Sequence, residues 1–292
     1  MEKNKKIFEA LEETQLNWTA NKLPLVHKKE NGDLLKTKNF GVFRSDNEEC
    51  LGIVGNQYNI IQNSELVETI IDLQDKFGGN VTGGELQNGR KVFCQLSLDD
   101  YTVANDTIKR YITALNSFDG STSIGFGSTN QVVICSNSFH IAYKNLEKFR
   151  HTISANDRLH LAIKEYKNAL VKDNSLMLNF EKMTDHKIQK PIFEKIVNKL
   201  FNVKLDVKVD QISTRKNNML NEFNTIVASE VDSHGETLWG LFNAVTYWTN
   251  HVTSKNENDI MLGSGYQKNL TTYNEIMAWI DDNTAKSVLV TK

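Results

Sequence analysis

The sequence predicts an α+β protein: a mainly antiparallel sheet with a packed helix in the N-terminal half, and a helical C-terminal half. Three observations predict it. Short β-type runs separated by turn residues fill about 34–143, apolar residues recur at helical spacing from about 152 onward, and one well-signalled helix interrupts the strand-rich part. The implied organisation is an N-terminal helix or arm over 1–33, a strand-rich α+β domain over 34–150 and a helical domain or extension over 151–292. A chain of 292 residues has room for one large domain or two moderate ones.

Residues 2–14 mix Ile7, Phe8 and Leu11 with charges, which suits a short amphipathic helix or a loosely held arm. Residues 40–43 and 51–61 read as two strands joined by the polar turn 44–50. A helix then starts at a cap provided by Asn63 or Ser64. Leu66, Val67, Ile70, Ile71 and Phe77 recur along it, Glu65 and Glu68 favour its N-terminal dipole, and Gly78-Gly79 ends it. Residues 80–87 and 91–98 flank Asn88-Gly89, the dipeptide of a tight type I′ hairpin. Strands follow around 110–115, 121–126 and 131–135.

Beyond Asn145 the periodicity becomes helical over 157–170, over 191–201 after Pro191, and over 215–230. The run from Glu236 to His251 is apolar around much of its circumference and should be largely buried. Trp239 and Trp248 lie nine residues apart, on opposite sides of such a helix, so core packing explains them better than a stacking platform.

No stretch reaches the roughly 18 apolar residues of a membrane span, and the chain's start lacks the apolar run of a secretory signal. Cys50, Cys94 and Cys135 are far apart with no Cys/His cluster, which fits buried thiols in a reducing, cytoplasmic setting and gives no metal or cofactor site. Net charge is −2 but segregated: −4 over 1–140, +7 over 141–217 and −5 over 218–292. A basic middle is an electrostatic footprint for nucleic acid, although a solvated helical face gives the same count.

Phosphate-loop, His-Glu-x-x-His and Gly-x-Ser-x-Gly motifs are absent from the sequence. Asn116, Ser117, Phe118, Asp119 and Ser121, with Asn137 and Cys135 further on, form a dense polar set around an exposed-looking Phe118 and suggest a small-ligand site. The simpler account is an Asp119-Gly120 turn whose Asx side chain bonds its own backbone. For nucleic acid, the candidates are Arg90, Lys91, Lys109, Arg110, Lys144, Lys148, Arg150 and Arg158, which would neutralise phosphates, with neighbouring aromatics stacking bases.

The spaced motifs Leu51-Gly52, Tyr58 to Asn63, Gly84 to Val92, Asn116 to Ser121, Val133 to Ser138 and Thr237 to Thr246 fall in an order that resembles the phage/plasmid-like family of unknown function, over about 35–255. The resemblance implies an accessory protein of phages or mobile elements, of the kind that serves replication, recombination or defence evasion. A strand-rich half with a helix is also loosely similar to ring-forming single-strand annealing proteins, from which the slightly acidic net charge departs. The expected function is therefore noncatalytic binding of nucleic acid, single-stranded DNA first, by a homo-oligomer. The alternatives are a nucleotide- or phosphate-binding enzyme and an anti-defence protein that binds a host protein.

Overall fold

A computed structural model describes residues 2–132, 138–139, 146–152, 166–203, 213–254 and 256–290. The architecture is α+β, with antiparallel sheets in the N-terminal half and mostly helices in the C-terminal half. Contacts divide the chain into two compact units. The first comprises Met1–Asp99, Arg110–Thr129 and Ala142–Lys172; the second comprises Asp100–Lys109, Asn130–Ile141 and Asp173–Lys292.

In the first unit, helix α1 (Glu2–Glu13) is followed by a three-stranded antiparallel sheet of β1 (Ala20–Lys28), β2 (Leu34–Arg44) and β3 (Cys50–Val54), in the order β1-β2-β3. The predicted strand over 51–61 ends at Val54, and the remainder is irregular chain leading to α2 (Asn63–Phe77). The cap also differs from expectation. Gln62 is the N-cap, its backbone N–H donating to Glu65 Oε2 at 2.7 Å, while Asn63 is buried and donates from Nδ2 to the Trp18 carbonyl at 3.0 Å.

The second sheet runs β10 (Glu147–Phe149), β8 (Ile124–Val132), β7 (Asp106–Ser117), β5 (Lys91–Ser97), β4 (Val81–Leu86), with β6 (Tyr101–Val103) also on β7 and β9 (Ser138–Phe139) also on β8. The β4–β5 hairpin forms where predicted. Its connection is longer than a two-residue I′ turn: Leu86 pairs with Lys91, and Gln87, Asn88 and Gly89 all have positive φ. Period-two alternation turns Val92, Cys94 and Leu96 of β5, Ile112 and Ala114 of β7, and Ile124 and Phe126 of β8 into one core. Leu66, Val67, Ile70 and Leu73 of α2 meet them there. Burial pushes the Cys94 thiol up to about 12, so it is an inert core group. Cys50, expected to be buried, is exposed, and Cys135 lies outside the described residues.

Two contacts fasten the three-stranded sheet. Arg44 spreads its guanidinium over Trp18 at 4.2 Å and pairs with both oxygens of Asp46, at 2.7 and 2.9 Å, and with Glu85 at 2.7 Å. At Gly52 a Cβ would come within 2.5 Å of the Asp119 Cα, so only glycine lets β3 approach that backbone.

The second unit contains α3 (Tyr166–Thr184) from Asp173 onward, α4 (Lys190–Phe201), α5 (Thr214–His234), α6 (Leu238–Tyr247), a π-helical turn (Trp248–Thr253), α7 (Glu257–Met261) and α8 (Ser264–Val290). Residues 238–246 are all buried, as the apolar run predicts. Trp239 packs on Phe180, and Trp248 packs on Phe201 and Phe223.

Asp259 closes the start of α8 by accepting from the Ser264 N–H at 2.7 Å and its hydroxyl at 3.0 Å. Burial opposes charge on Asp259, but the Ser264 bonds and the Gly265 N–H together hold its carboxyl below the ordinary range. A depressed carboxyl contributes stability above the unfolded-state value and loses it as pH falls through the folded-state value. Asp259→Ala is expected to cost about 0.5–2 kcal/mol at neutral pH, in the range of lost helix caps. The deficit should shrink in acid; urea unfolding of both proteins across pH checks this, and an equal deficit at every pH would contradict it.

Candidate functional site

The first unit carries an open cleft of about 800 Å3 lined by Ala20, Asn21 and Lys22 of β1, by residues 56–60, and by Gln62 and Thr152. Its walls are set by long-range polar contacts. Lys22 Nζ donates to the Asn56 carbonyl at 2.6 Å and the Tyr58 carbonyl at 2.8 Å while lying over Phe40 at 4.8 Å, which bends residues 56–58 against β1. Tyr58 donates its hydroxyl to the Ser117 carbonyl at 2.5 Å and stacks on His151 at 4.5 Å. The Asn59 N–H donates to the His151 carbonyl at 3.0 Å. Burial pushes the His151 imidazole below its ordinary value and the Tyr58 phenol well above its own, so both are neutral props of the wall at neutral pH.

Four carboxamides line this cleft with no side-chain hydrogen bond among the described residues: Asn21, Asn56, Gln57 and Asn59. The fifth, Gln62, is fully engaged. Its Oε1 accepts from the Ala20 N–H and its Nε2 donates to the Ala20 carbonyl, both at 2.9 Å. The lining is thus rich in neutral groups that both donate and accept, and its one ammonium is already spent on carbonyls.

The polar set predicted around Phe118 is mostly internal. Phe118 is fully buried against Trp18 at 5.1 Å, contrary to its exposed look in the sequence, because it continues the core-facing alternation of Ile112 and Ala114. Asn116 is buried and donates to the Ile61 carbonyl at 2.8 Å; Ser117 is buried and donates to the Thr122 carbonyl at 2.7 Å. Asp119 Oδ1 accepts from the Ser121 N–H at 2.9 Å, the Asx turn of the simpler account. Ser121 is exposed, and Asn137 lies outside the described residues.

The predicted phosphate contacts are also sorted by the fold. Lys91 is buried and donates to Gln87 Oε1 at 2.7 Å, so it cannot reach a phosphate. Arg110 is half-buried and donates to the Asp99 carbonyl at 2.8 Å. Arg90 at a hairpin tip, Lys109, and Lys148 and Arg150 at β10 are exposed; Lys144 and Arg158 lie outside the described residues. Sequence reasoning missed a second basic element, the ribbon formed by β1 and β2. Residues 26–39 are exposed throughout and present Lys28, Lys29, Lys36 and Lys38, none of them in an ion pair among the described residues, against Glu30 and Asp33. Asn31-Gly32, with Gly32 at φ +91°, was the turn signal that marks it.

Fold and site together define an α+β protein with an open carboxamide-lined cleft at the root of an exposed basic β-ribbon. Residues 50–275 match a family described as a domain of unknown function (DUF932), and the chain belongs to that family. The ribbon and the Ala20 to Lys22 wall of the cleft precede the matched segment, whereas Asn56 to Gln62 and Thr152 fall within it. No curated protein and no solved structure matches the chain.

Proposed function

We propose that the protein is a noncatalytic nucleic-acid-binding accessory protein of a phage or mobile element, acting on single-stranded DNA in annealing or recombination as a homo-oligomer. The observation that supports this most is the ribbon. Lys28, Lys29, Lys36 and Lys38 stand on a two-stranded projection exposed on both faces, where ammonium groups meet phosphates without first leaving an internal partner. Exposed Lys148 and Arg150 at the β10 edge supply further cations on the same unit. Contacts of this kind are indifferent to base identity, which suits a protein that holds strands irrespective of sequence.

The test is a salt series with labelled single-stranded and double-stranded oligonucleotides, the duplex included because a two-stranded ribbon is also narrow enough for a major groove. Binding should weaken steeply with salt. Replacing the four ribbon lysines by Ala should reduce the log–log salt slope by up to about 0.7 per lysine on single strands. An unchanged slope would remove the ribbon from the interface, and no binding at low salt would end the reading.

A further inference from the structure

We infer that the outer edge of β1 and the adjoining carboxamide cleft form a docking site for an extended polypeptide, which adds to the β1-β2-β3 sheet as a fourth strand. Among the described residues β1 pairs only with β2, so its other edge is open in the three-stranded order. Backbone hydrogen bonds fix which residues face that edge. Ser45 donates to the Thr19 carbonyl and Lys29 donates to the Asp33 carbonyl, so these odd-numbered residues turn toward β2. The register is irregular between Pro24 and Val26, and the alternation on either side of it points the main-chain groups of Ala20, Lys22 and Pro24, and of Val26 and Lys28, outward. Pro24 falls on this outward set, where its missing N–H breaks no bond to β2.

Gln62 shows what this edge accepts. Its carboxamide gives the Ala20 N–H an acceptor and the Ala20 carbonyl a donor, both at 2.9 Å, the pair of bonds that a neighbouring strand's peptide group makes. That amide ends at Ala20, and among the described residues no strand pairs with the row beyond it. The cleft walls alongside carry Asn21, Asn56, Gln57 and Asn59, whose amides match the donor and acceptor pattern of a peptide main chain.

Charge and apolar surface specify the occupant. Over the cleft the lining is uncharged apart from Lys22, whose ammonium is turned onto the Asn56 and Tyr58 carbonyls. Toward the ribbon tip it is basic, with Lys28 and Lys36 exposed, and Leu23, Val26, Leu34 and Leu35 are each 46–64% exposed. The complementary partner is an extended segment that is uncharged at one end, acidic at the other, and alternates β-branched residues. A second copy of β1 fits poorly, since its own Lys22, Lys28 and Lys29 would bring like charge to the same edge.

The probe is a capped, fluorescein-labelled nonapeptide of alternating Thr and Val ending in two Glu, read by anisotropy with the full chain. Saturable binding is expected. A peptide of the same sequence with N-methyl groups on alternate amides should bind at least tenfold more weakly, because it keeps the side chains and loses the strand bonds. Val26→Pro, which removes one outward N–H, should weaken the unmodified peptide by a similar factor, and the Asn21→Ala/Asn59→Ala pair gives a second readout that leaves the ribbon backbone intact. No saturation up to about 1 mM, the weak limit of specific recognition, would overturn the proposal. So would equal binding of the N-methylated peptide, or an oligonucleotide binding that needs Asn21 and Asn59 while the peptide does not.

Discussion

Replacing His234 by Ala is expected to lower the unfolding free energy of the helical unit by roughly 2–5 kcal/mol, because two buried carboxyl groups each lose a partner at about 1–3 kcal/mol apiece. His234 ends α5 with its ring between two carboxylates: Nδ1 lies 3.0 Å from Asp106 Oδ2 and Nε2 lies 3.0 Å from Glu230 Oε2. The His234 and Asp106 side chains are 3% and 0% exposed. Trp239 adds an indole N–H to the same Asp106 oxygen at 2.6 Å, so one carboxylate ties the β6–β7 hairpin to both α5 and α6. Without the ring, the Asp106 and Glu230 carboxyl groups each lose a contact and face the cavity it leaves. Both side chains are nearly or wholly buried, at 0% and 9% exposed, so the cost is that of leaving buried polar groups short of a partner. Asp106→Asn should cost less than His234→Ala, because its amide oxygen still accepts from Trp239. Urea unfolding followed by tryptophan fluorescence and circular dichroism measures both, and a loss below about 1 kcal/mol for His234→Ala would show that the cluster is solvated.

This cluster was invisible in the sequence for a definite reason. Glu230 and His234 are four apart on a helix and read as an ordinary exposed pair. Asp106 lies far earlier, on a hairpin whose turn, Ala104-Asn105, uses an alanine at φ 51° instead of glycine and so carried no turn signal. By contrast α2, the β4–β5 hairpin and the buried run of α6 were legible, because each has its own periodicity and terminators within a single window. The ribbon failed the same test from the other side. Its strands bury neither face beyond Leu25, so period-two alternation has nothing to act on, and Asn31-Gly32 was its only local mark.

The cleft shows how apolar content misleads when a distant side chain decides the conformation. Ile60 and Ile61 suggested that the strand beginning at Leu51 continues to residue 61. Lys22 instead captures the Asn56 and Tyr58 carbonyls, and the Gln62 amide turns back to Ala20, so the segment becomes a wall of the cleft. Those partners are 34 to 42 residues away, outside any window that periodicity can use. The run of amides from Asn56 to Gln62 was nevertheless present in the sequence, and its density of donors and acceptors was the one available clue.

The segment 116–121 supplies the second large effect and separates a ligand site from a structural corner. Phe118→Ala is expected to cost about 3–5 kcal/mol, as for large aromatic side chains removed from packed cores. Phe118 is wholly buried, touches Trp18 at 5.1 Å and belongs to the core shared by α2 and the second sheet, so truncation opens a void that rigid strands on either side cannot close. Asp119→Ala removes only the Asx bond to the Ser121 N–H and should cost about 1 kcal/mol, the net worth of one such hydrogen bond. If residues 116–121 were a binding site, the two changes would reverse in rank for ligand affinity, with Asp119 the more damaging in a protein that remains folded. Parallel unfolding curves and nucleotide titrations decide between them. A small stability loss for Phe118→Ala together with lost nucleotide binding on Asp119→Ala would restore the ligand reading, whereas the expected order makes this corner part of the scaffold that sets Tyr58 against the cleft, since the Tyr58 hydroxyl is held by the Ser117 carbonyl next to Phe118.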